Sequence, residues 1–573
     1  MMNEHTENIK RVIRLSDLVF IGIFILAFSI RIYAANMIGI TNSEAGVLLS
    51  AAVGNPPNLA PFFYTLFIRI LNFLGVNSDL GMRLLNVLLG SFIILLPALF
   101  SKEIGKRTAI LASIMFALDP FAIVNSVVIS GNAATILLSG LLIDAIIHKR
   151  NTILKILVSL LVGHGRGFGY LIMVSSLFAA ILFFWDQKKF DAIFHHLREM
   201  VFTKRDFINS AYILAFLLAT AIIFKVPLSN ISTDFSKFIV GWGDNYQLGN
   251  YPIVYPFALF SYIPVALVFS LLFLFLKTKD ETKQLKLFCL WYLLAFLILM
   301  FYPGHLVVDL TWVSLPLWIC TASLIHRGLL ISNSFQEENL PFLGILIVSG
   351  INLGLNIITV VYRAIWGLDV TNALLAALII CIFIVALLVF KAYATSITKA
   401  LSALFLVILF FCGVVQISIS ARAAGVNQKP ENEILWNGYF EGKDIVEVII
   451  AQAKSDFTGT SDSITIYSDS HLNPSLFWLL RREWLFFRRS DFGSESPQII
   501  ISNDQADEFG GEAYQGQEFI SNSYPLWTWD PVRSFISTDY WNWFFFRNNL
   551  PYQEYNSIWI NKSLLDKKIS VGE

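Results

Sequence analysis

The fold of this chain is limited most by a recurring pattern between residues 15 and 420: apolar stretches near twenty residues long, separated by short polar or basic turns. A helix rises about 1.5 Å per residue, so about twenty apolar residues cross a hydrocarbon layer about 30 Å thick. Candidate spans are 17–35, 80–100, 108–127, 130–147, 152–164, 169–185, 208–226, 254–276, 286–302, 306–325, 341–361, 370–391 and 397–418. The expectation is a polytopic α-helical membrane protein of about thirteen helices. Composition agrees, with 14% charged residues against about a quarter in a soluble domain. The first apolar run has no small-residue cleavage site before it ends, so it is expected to be a retained helix and not a signal peptide.

Basic residues cluster in alternate loops: Lys10, Arg11 and Arg14; Lys102, Lys106 and Arg107; His148 to Arg150; Lys188 to Arg205; Lys277 to Lys286. The positive-inside rule makes these cytoplasmic. The loop after the first span, residues 227–253 and everything after 418 then fall outside the cell membrane, with the N-terminus inside. The formal net charge of +0 offers no electrostatic footprint for nucleic acid. Cys289, Cys320, Cys381 and Cys412 all lie in apolar runs and read as small hydrophobes, not as a disulfide frame or metal site.

Two domains follow: 1–420 in the membrane, and 421–573 as an extracytoplasmic soluble α/β domain. Past Ala421 polar residues return, and Ser463–Tyr467, Gln498–Ser502 and Ser557–Asn561 read as strands between helical patterns at Asp444–Lys454 and Ser475–Glu483. The aromatic runs Tyr524–Trp529 and Tyr540–Phe546 suit either core and membrane-interface packing or a stacking platform for a sugar.

A charge in the hydrocarbon costs at least about 2.5–3.5 kcal/mol, so each needs a reason. Asp119, His164, Arg166, His305 and Asp309 all fall in the outer half of their spans. Each has a local explanation: a helix amide for Asp119, an i, i+4 pair for His305 and Asp309, snorkelling for Arg166. Their coincidence on one side points to a polar cavity opening outward. Glu44 sits on that side too, in a loop that runs through Thr41–Ala45 and Asn55–Pro57 to Pro61–Tyr64. Asp144, beside His148, belongs to the cytoplasmic end. The glycine-rich Gly163–Gly169 lacks the strand-to-helix setting of a nucleotide loop.

In order and spacing these segments resemble the GT-C superfamily of multi-pass glycosyltransferases, nearest the branch related to protein mannosyltransferases and the archaeal-type flippase activity-associated proteins. Arg31–Tyr33 is similar to the end of the family's first helix, and Asn42-Ser-Glu-Ala45 stands at its Asp-Glu-Ala motif. Asp79–Leu85 with Gly90 is similar to its "xxxRLxxxxxG" helix, Ala117–Pro120 to "AxSP", and Tyr302–Pro316 to a late helix ending in "LPL". The resemblance implies a GT-C-like fold and transfer of a sugar from a polyprenyl-phosphate donor to a glycan, lipid or protein acceptor on the outer face of the bilayer. This sequence departs from the family at three places. Ser43 replaces the first carboxylate of the motif, Asn132 stands where an acid is usual, and the Lys-Glu pair is absent from Gly165–Gly169.

If the chain is active, the resemblance implies an inverting attack by an acceptor hydroxyl. The expected catalytic residues are Glu44 as base and Asp119 in reserve. Arg166 with His164 or His305 would meet the phosphate, and Ser43, Asn132 and Asp309 would complete the substrate site. Two carboxylates on one cavity would also suit Mg2+ or Mn2+. Two alternatives stay open: a catalytically degenerate subunit that binds lipid-linked sugars in surface-glycan assembly, or a lipid-sugar flippase. A transporter should carry paired interrupted helices in two halves, and none is visible in the sequence.

Overall fold

The computed structural model describes residues 15–52, 61–150, 165–185, 218–243, 251–275, 283–332 and 340–562, apart from short stretches within those ranges, with scattered positions between them. The chain begins with α1 (Leu15–Met37), α2 (Asn42–Ala52), α3 (Phe62–Phe73) and α4 (Asp79–Ile93). The stretch around Glu44, expected as a loop, is therefore mostly the short helix α2. Asn55–Pro57 lies outside the described residues. Ser78 caps α4 by accepting from the Gly81 amide at 3.1 Å, with Asp79 in the first turn, an arrangement that satisfies an orphan N–H and the helix dipole together.

Next come α5 (Lys106–Ala117) and α6 (Pro120–Val127), bent by 62° at the break between them. Pro120 brings no N–H and clashes with the preceding turn. Asp119 turns the break into a helix start, accepting from the Ala122 amide at 2.7 Å. After α7 (Asn132–Ile147) and α8 (Gly165–Trp185) come α9 (Val254–Tyr262) and α10 (Pro264–Phe275), a second pair bent by 100° ahead of Pro264. Then follow α11 (Lys283–Phe301), a 3-10 turn at Val307–Leu310, α12 (Thr311–Ser332), α13 (Leu340–Ile365), α14 (Thr371–Ala394) and α15 (Ile397–Ala423).

The expectation of about thirteen spans is corrected. Among the described residues six helices are long and apolar enough to cross a membrane, or up to eight if each bent pair is one span. The six are Asp17–Met37, Asp79–Leu99, Val307–Leu330, Leu340–Ile365, Thr371–Ala394 and Ile397–Ala423. In the runs expected at 130–147, 169–185 and 286–302 the described apolar helices are Asn132–Ile147, Gly169–Ile181 and Leu287–Phe301, each of 10–17 residues; Asn132–Ile147, at about 24 Å, falls short of the hydrocarbon thickness. Those expected at 108–127 and 254–276 are the bent pairs; 152–164 and the first half of 208–226 lie largely outside the described residues. Apolar composition here marks the inside of a helical core as well as a lipid-facing span: α12 is 94% buried over its most apolar window, whereas α14 is 6% buried.

The C-terminal part is an extramembrane domain on a five-stranded sheet of order β2-β1-β3-β5-β4. Its strands are β1 (Thr465–Ser468), β2 (Trp484–Phe486), β3 (Ile499–Ser502), β4 (Tyr514–Pro525) and β5 (Pro551–Asn561). β1 runs parallel to β2 and β3, while β5 is antiparallel to β3 and β4. Helix α16 (Lys443–Thr458) and the short α17 (Pro474–Leu479) supply Val446, Ile450, Leu476 and Leu480 to a core with Ile466, Ile499, Ile501 and Ile558.

Two contacts dock this domain on the helices. At the first, the Ser475 hydroxyl donates to the Ile40 carbonyl at 3.2 Å, Trp478 Nε1 donates to Asp79 at 3.0 Å, and the Asn42 carboxamide meets that of Asn522. At the second, the aromatic helix α18 (Thr538–Phe546) lies on α9. Phe544 stacks on Phe260, Trp543 meets Tyr262, and the Tyr540 hydroxyl pairs with Ser261 at 2.9 Å. Burial pushes the Tyr540 phenol up from its ordinary range, so it stays protonated in that pair. Arg547 closes the joint, stacked 3.9 Å over Trp543 and bonded to Glu433 at 3.0 Å. The Tyr540–Phe546 run is thus a docking face and not an open sugar platform.

Candidate functional site

The Ser-Glu-Ala segment is the natural place to begin. Glu44 is fully buried on α2. Its Oε1 accepts from Arg83 Nε at 2.8 Å and the Ile129 amide at 3.3 Å. Its Oε2 accepts from Arg83 at 2.6 Å and from the amide and hydroxyl of Thr41, each at 3.1 Å. A carboxylate has about four lone-pair sites, so five donors saturate it. Arg83 in turn donates to the carbonyls of Ala35, Ile38 and Gly39. The pair therefore ties the α1–α2 corner to α4 and to the turn before α7. Ser43, its neighbour, is exposed, with its hydroxyl 3.2 Å from that of Thr41.

Asp119 occupies a separate knot. Besides capping α6 it accepts from Trp318 Nε1 at 2.6 Å, and its charge couples to Arg31. Arg31 is itself buried and donates to Ser126 at 3.0 Å. The break leaves the Leu118 carbonyl without a helical donor, and Gln416 and Ser420 of α15 supply two. Glu44 and Asp119 thus do not face one cavity. Among the described residues no three His, Cys, Asp or Glu side chains stand together as a metal would need.

A third cluster does border a cavity. Pro303 and Gly304 end α11, and the 3-10 turn that follows brings Asp309 back under His305, with Asp309 Oδ2 2.9 Å from His305 Nδ1. The same oxygen accepts from the Leu306 amide at 3.0 Å. Oδ1 accepts from Asn132 Nδ2 at 2.9 Å, and Asn132 Oδ1 accepts from Trp312 Nε1 at 2.6 Å. His305, Asp309, Asn132 and Trp312 are all buried. They line a cavity of about 30 Å3 with Pro61, Ser130, Gly131, Gly167 and Tyr170, room for about one water molecule.

Two helices begin at this cavity. Gly131 precedes α7 at φ +76°, a conformation open to glycine, and gives its first turn no side-chain cap. Gly167 lies in the first turn of α8. Helix N-termini present amide hydrogens and positive partial charge, which suit an anion. The cavity is at the sheet-domain end of the bundle, since Ile129 and Ala134 share an apolar cluster with Trp478. At that junction lies a larger groove of about 620 Å3 lined by Asp79, Lys443, Glu447, Ser475 and Arg481.

Of the residues singled out from the sequence, His305, Asp309 and Asn132 come together. Glu44, Asp119 and Ser43 stand elsewhere. His164 lies outside the described residues, and Arg166 is in the first turn of α8 with a side chain that is not described. Asp144 pairs with Arg150 at 3.2 Å and His148 at 3.0 Å, at the far end of α7. Sequence reasoning missed Trp312, which stands at i+3 from Asp309 and so on its face of the helix. It also left Arg83 without a role, although that arginine lies in a motif carrying the family resemblance.

No protein-family model matches the chain, and no curated protein matches it. The solved structures similar to it include two of ArnT from Cupriavidus metallidurans. The one bound to undecaprenyl phosphate has 11% identity over 84% of this chain and 92% of that one, with a TM-score of 0.46. The apo form has 12% identity, the same coverage and a TM-score of 0.45.

Proposed function

We propose that the protein is a membrane glycosyltransferase of the GT-C kind that takes a sugar from a polyprenyl-phosphate donor on the outer face of the membrane, with its site at the His305–Asp309–Asn132 cavity. The observation that carries this reading is the meeting of a carboxylate-held imidazole with the uncapped start of α7 and the first turn of α8. An acceptor hydroxyl attacks the anomeric carbon, a new carbon–oxygen bond forms on the opposite face, and the bond to phosphate breaks. The leaving polyprenyl phosphate keeps the electron pair. His305 takes the hydroxyl proton, and Asp309 orients the ring and balances the imidazolium that results. Asn132, fixed by Trp312, holds Asp309 in place. The two helix starts and Arg166 receive the phosphate, where negative charge develops. Glu44 does no proton transfer; with Arg83 it fixes the Ile129–Asn132 turn. The groove at the domain junction, rimmed by Asp79, Lys443, Glu447 and Arg481, suits a hydroxyl-rich acceptor.

A second reading is favoured by the saturated Glu44 and the small volume of the cavity: a subunit that binds a lipid-linked sugar without turning it over. The test is release of free polyprenyl phosphate from a panel of undecaprenyl-phosphate sugars in proteoliposomes supplied with hydroxyl-bearing glycan, lipid and protein acceptors, read by mass spectrometry. Release by the wild type that falls about a hundredfold or more in His305→Ala and Asp309→Asn supports transfer at this cavity. Full release by both variants would remove the pair from the mechanism. Donor binding without any release supports the second reading.

A further inference from the structure

Helices α13 and α14 form a peripheral hairpin, and only 11% and 6% of their most apolar windows are buried. Their surfaces differ. Between Ala373 and Phe390, α14 holds no side chain more polar than Cys381, as a lipid-facing helix should. By contrast, α13 carries Ser349, Asn352, Asn356, Thr359 and Arg363, spaced 3-4-3-4, which places them in one stripe along the helix. The adjoining side, with Leu343, Leu346 and Ile347, packs on Ala403 and Val407 of α15, and Ser349 at the start of the stripe is buried beside it.

Among the described residues the central members of the stripe bond to no other helix. Asn352 and Thr359 are exposed and Asn356 is half-buried. Each bonds back to its own helix: Asn352 Nδ2 to the Val348 carbonyl at 3.3 Å, Asn356 Nδ2 to Asn352 at 2.9 Å, and the Thr359 hydroxyl to Leu355 at 2.8 Å. Asn352 sits about 18 Å of helix from Leu340 and about 20 Å from Ile365, which is mid-bilayer for a span of this length. Hydrocarbon offers no donor to a carboxamide oxygen there.

We propose that this stripe is a self-association surface on which a second copy of the chain packs its own α13, exchanging carboxamide bonds through Asn352 and Asn356. A carboxamide is both donor and acceptor, so identical faces satisfy one another with no counter-charge. Two copies inserted with the same topology bring like residues to like depth. A two-fold interface must be self-complementary, and Asn against Asn with Thr against Thr meets that demand. The 3-4 spacing is the seam of helix pairs that cross at about +20° in membranes.

The test uses the full chain with exposed Cys381 changed to Ser. A cysteine at exposed Leu355, beside the stripe, is compared with one at equally exposed Leu378 on α14. On oxidation in native membranes, Leu355→Cys should cross-link to its own copy, identified by the homotypic peptide, and Leu378→Cys should not. In purified liposomes labelled for energy transfer, Asn352→Leu with Asn356→Leu should weaken association about tenfold, and Asn352→Gln with Asn356→Gln should restore part of it. These side chains lie on the peripheral helix, and a monodisperse gel-filtration peak of the leucine variant, free of aggregate, separates lost association from lost folding. A monomeric wild type at every lipid dilution, an unshifted leucine variant, or a Leu355→Cys cross-link to a different protein would each overturn the proposal.

Discussion

Replacement of Glu44 by glutamine separates a structural carboxylate from a catalytic one. The change keeps the side chain's shape but removes its charge, and it turns one acceptor oxygen into an NH2 facing the donors of Arg83 or Thr41. Arg83, with both side chains at 0% exposure in the pair, loses its counter-charge and one of its two carboxylate acceptors, keeping the amide oxygen and the carbonyls of Ala35, Ile38 and Gly39. Breaking a buried pair by removing one partner costs about 3–5 kcal/mol, because a desolvated charge is left behind. Replacing both partners with apolar residues is cheaper, so Glu44→Leu with Arg83→Met should be more stable than Glu44→Gln alone. A helical membrane domain unfolds irreversibly, so the assay is the half-life of monodisperse protein at a fixed elevated temperature. If the pair is broken in the unfolding transition state, the penalty shortens that half-life by about a hundredfold or more. A variant with the wild-type half-life and no transferase activity would refute the reasoning and make Glu44 a chemical participant.

Three further outcomes follow from close contacts. A Cβ at Gly90 would stand 2.7 Å from the Cα of Ser126, so Gly90→Ala must push α4 from α6 and should lower the inactivation temperature more than Ala-for-Gly at open Gly354, measured by thermal aggregation. Asp119→Ala removes the cap of α6 and the acceptor for Trp318 Nε1. The cap alone is worth about 0.5–2 kcal/mol, and a buried indole N–H left without an acceptor adds about 1–3 kcal/mol; Asp119→Asn, which keeps an acceptor oxygen, should lose less in the same assay. Arg547→Ala removes the bond to Glu433 and the stacking on Trp543 and Tyr262, so limited proteolysis should cut between the helices and the sheet domain at lower protease concentration than in wild type.

The alternation of apolar runs and basic turns located the long outer helices well, because α13, α14 and α15 satisfy their surfaces mostly with lipid. It overcounted elsewhere for a physical reason. Inside a helical core the neighbours supply the apolar environment, so a run such as 130–147 need not be long enough to span. Pro120 and Pro264 were visible in the sequence, but the angle of a bend depends on what donates to the freed backbone carbonyls, at Leu118 the side chains of Gln416 and Ser420. At the site, the i, i+4 relation of His305 and Asp309 was legible because both partners are local. Glu44 was legible as an acidic residue on the outward side, but its partner is 39 residues away in sequence, and nothing in a linear pattern reveals that pairing. The same limit applies to Tyr540–Phe546, where composition shows an aromatic face and only the tertiary fold shows that α9 covers it.

The most direct measurement of the central proposal is a cryo-electron microscopy map of the full chain in nanodiscs with undecaprenyl phosphate. Phosphate density is expected at the starts of α7 and α8, weakened in the Arg166→Ala variant and retained in His305→Ala, which loses turnover only. Phosphate density at Glu44 or Asp119, or unchanged in the Arg166→Ala variant, would contradict the proposal.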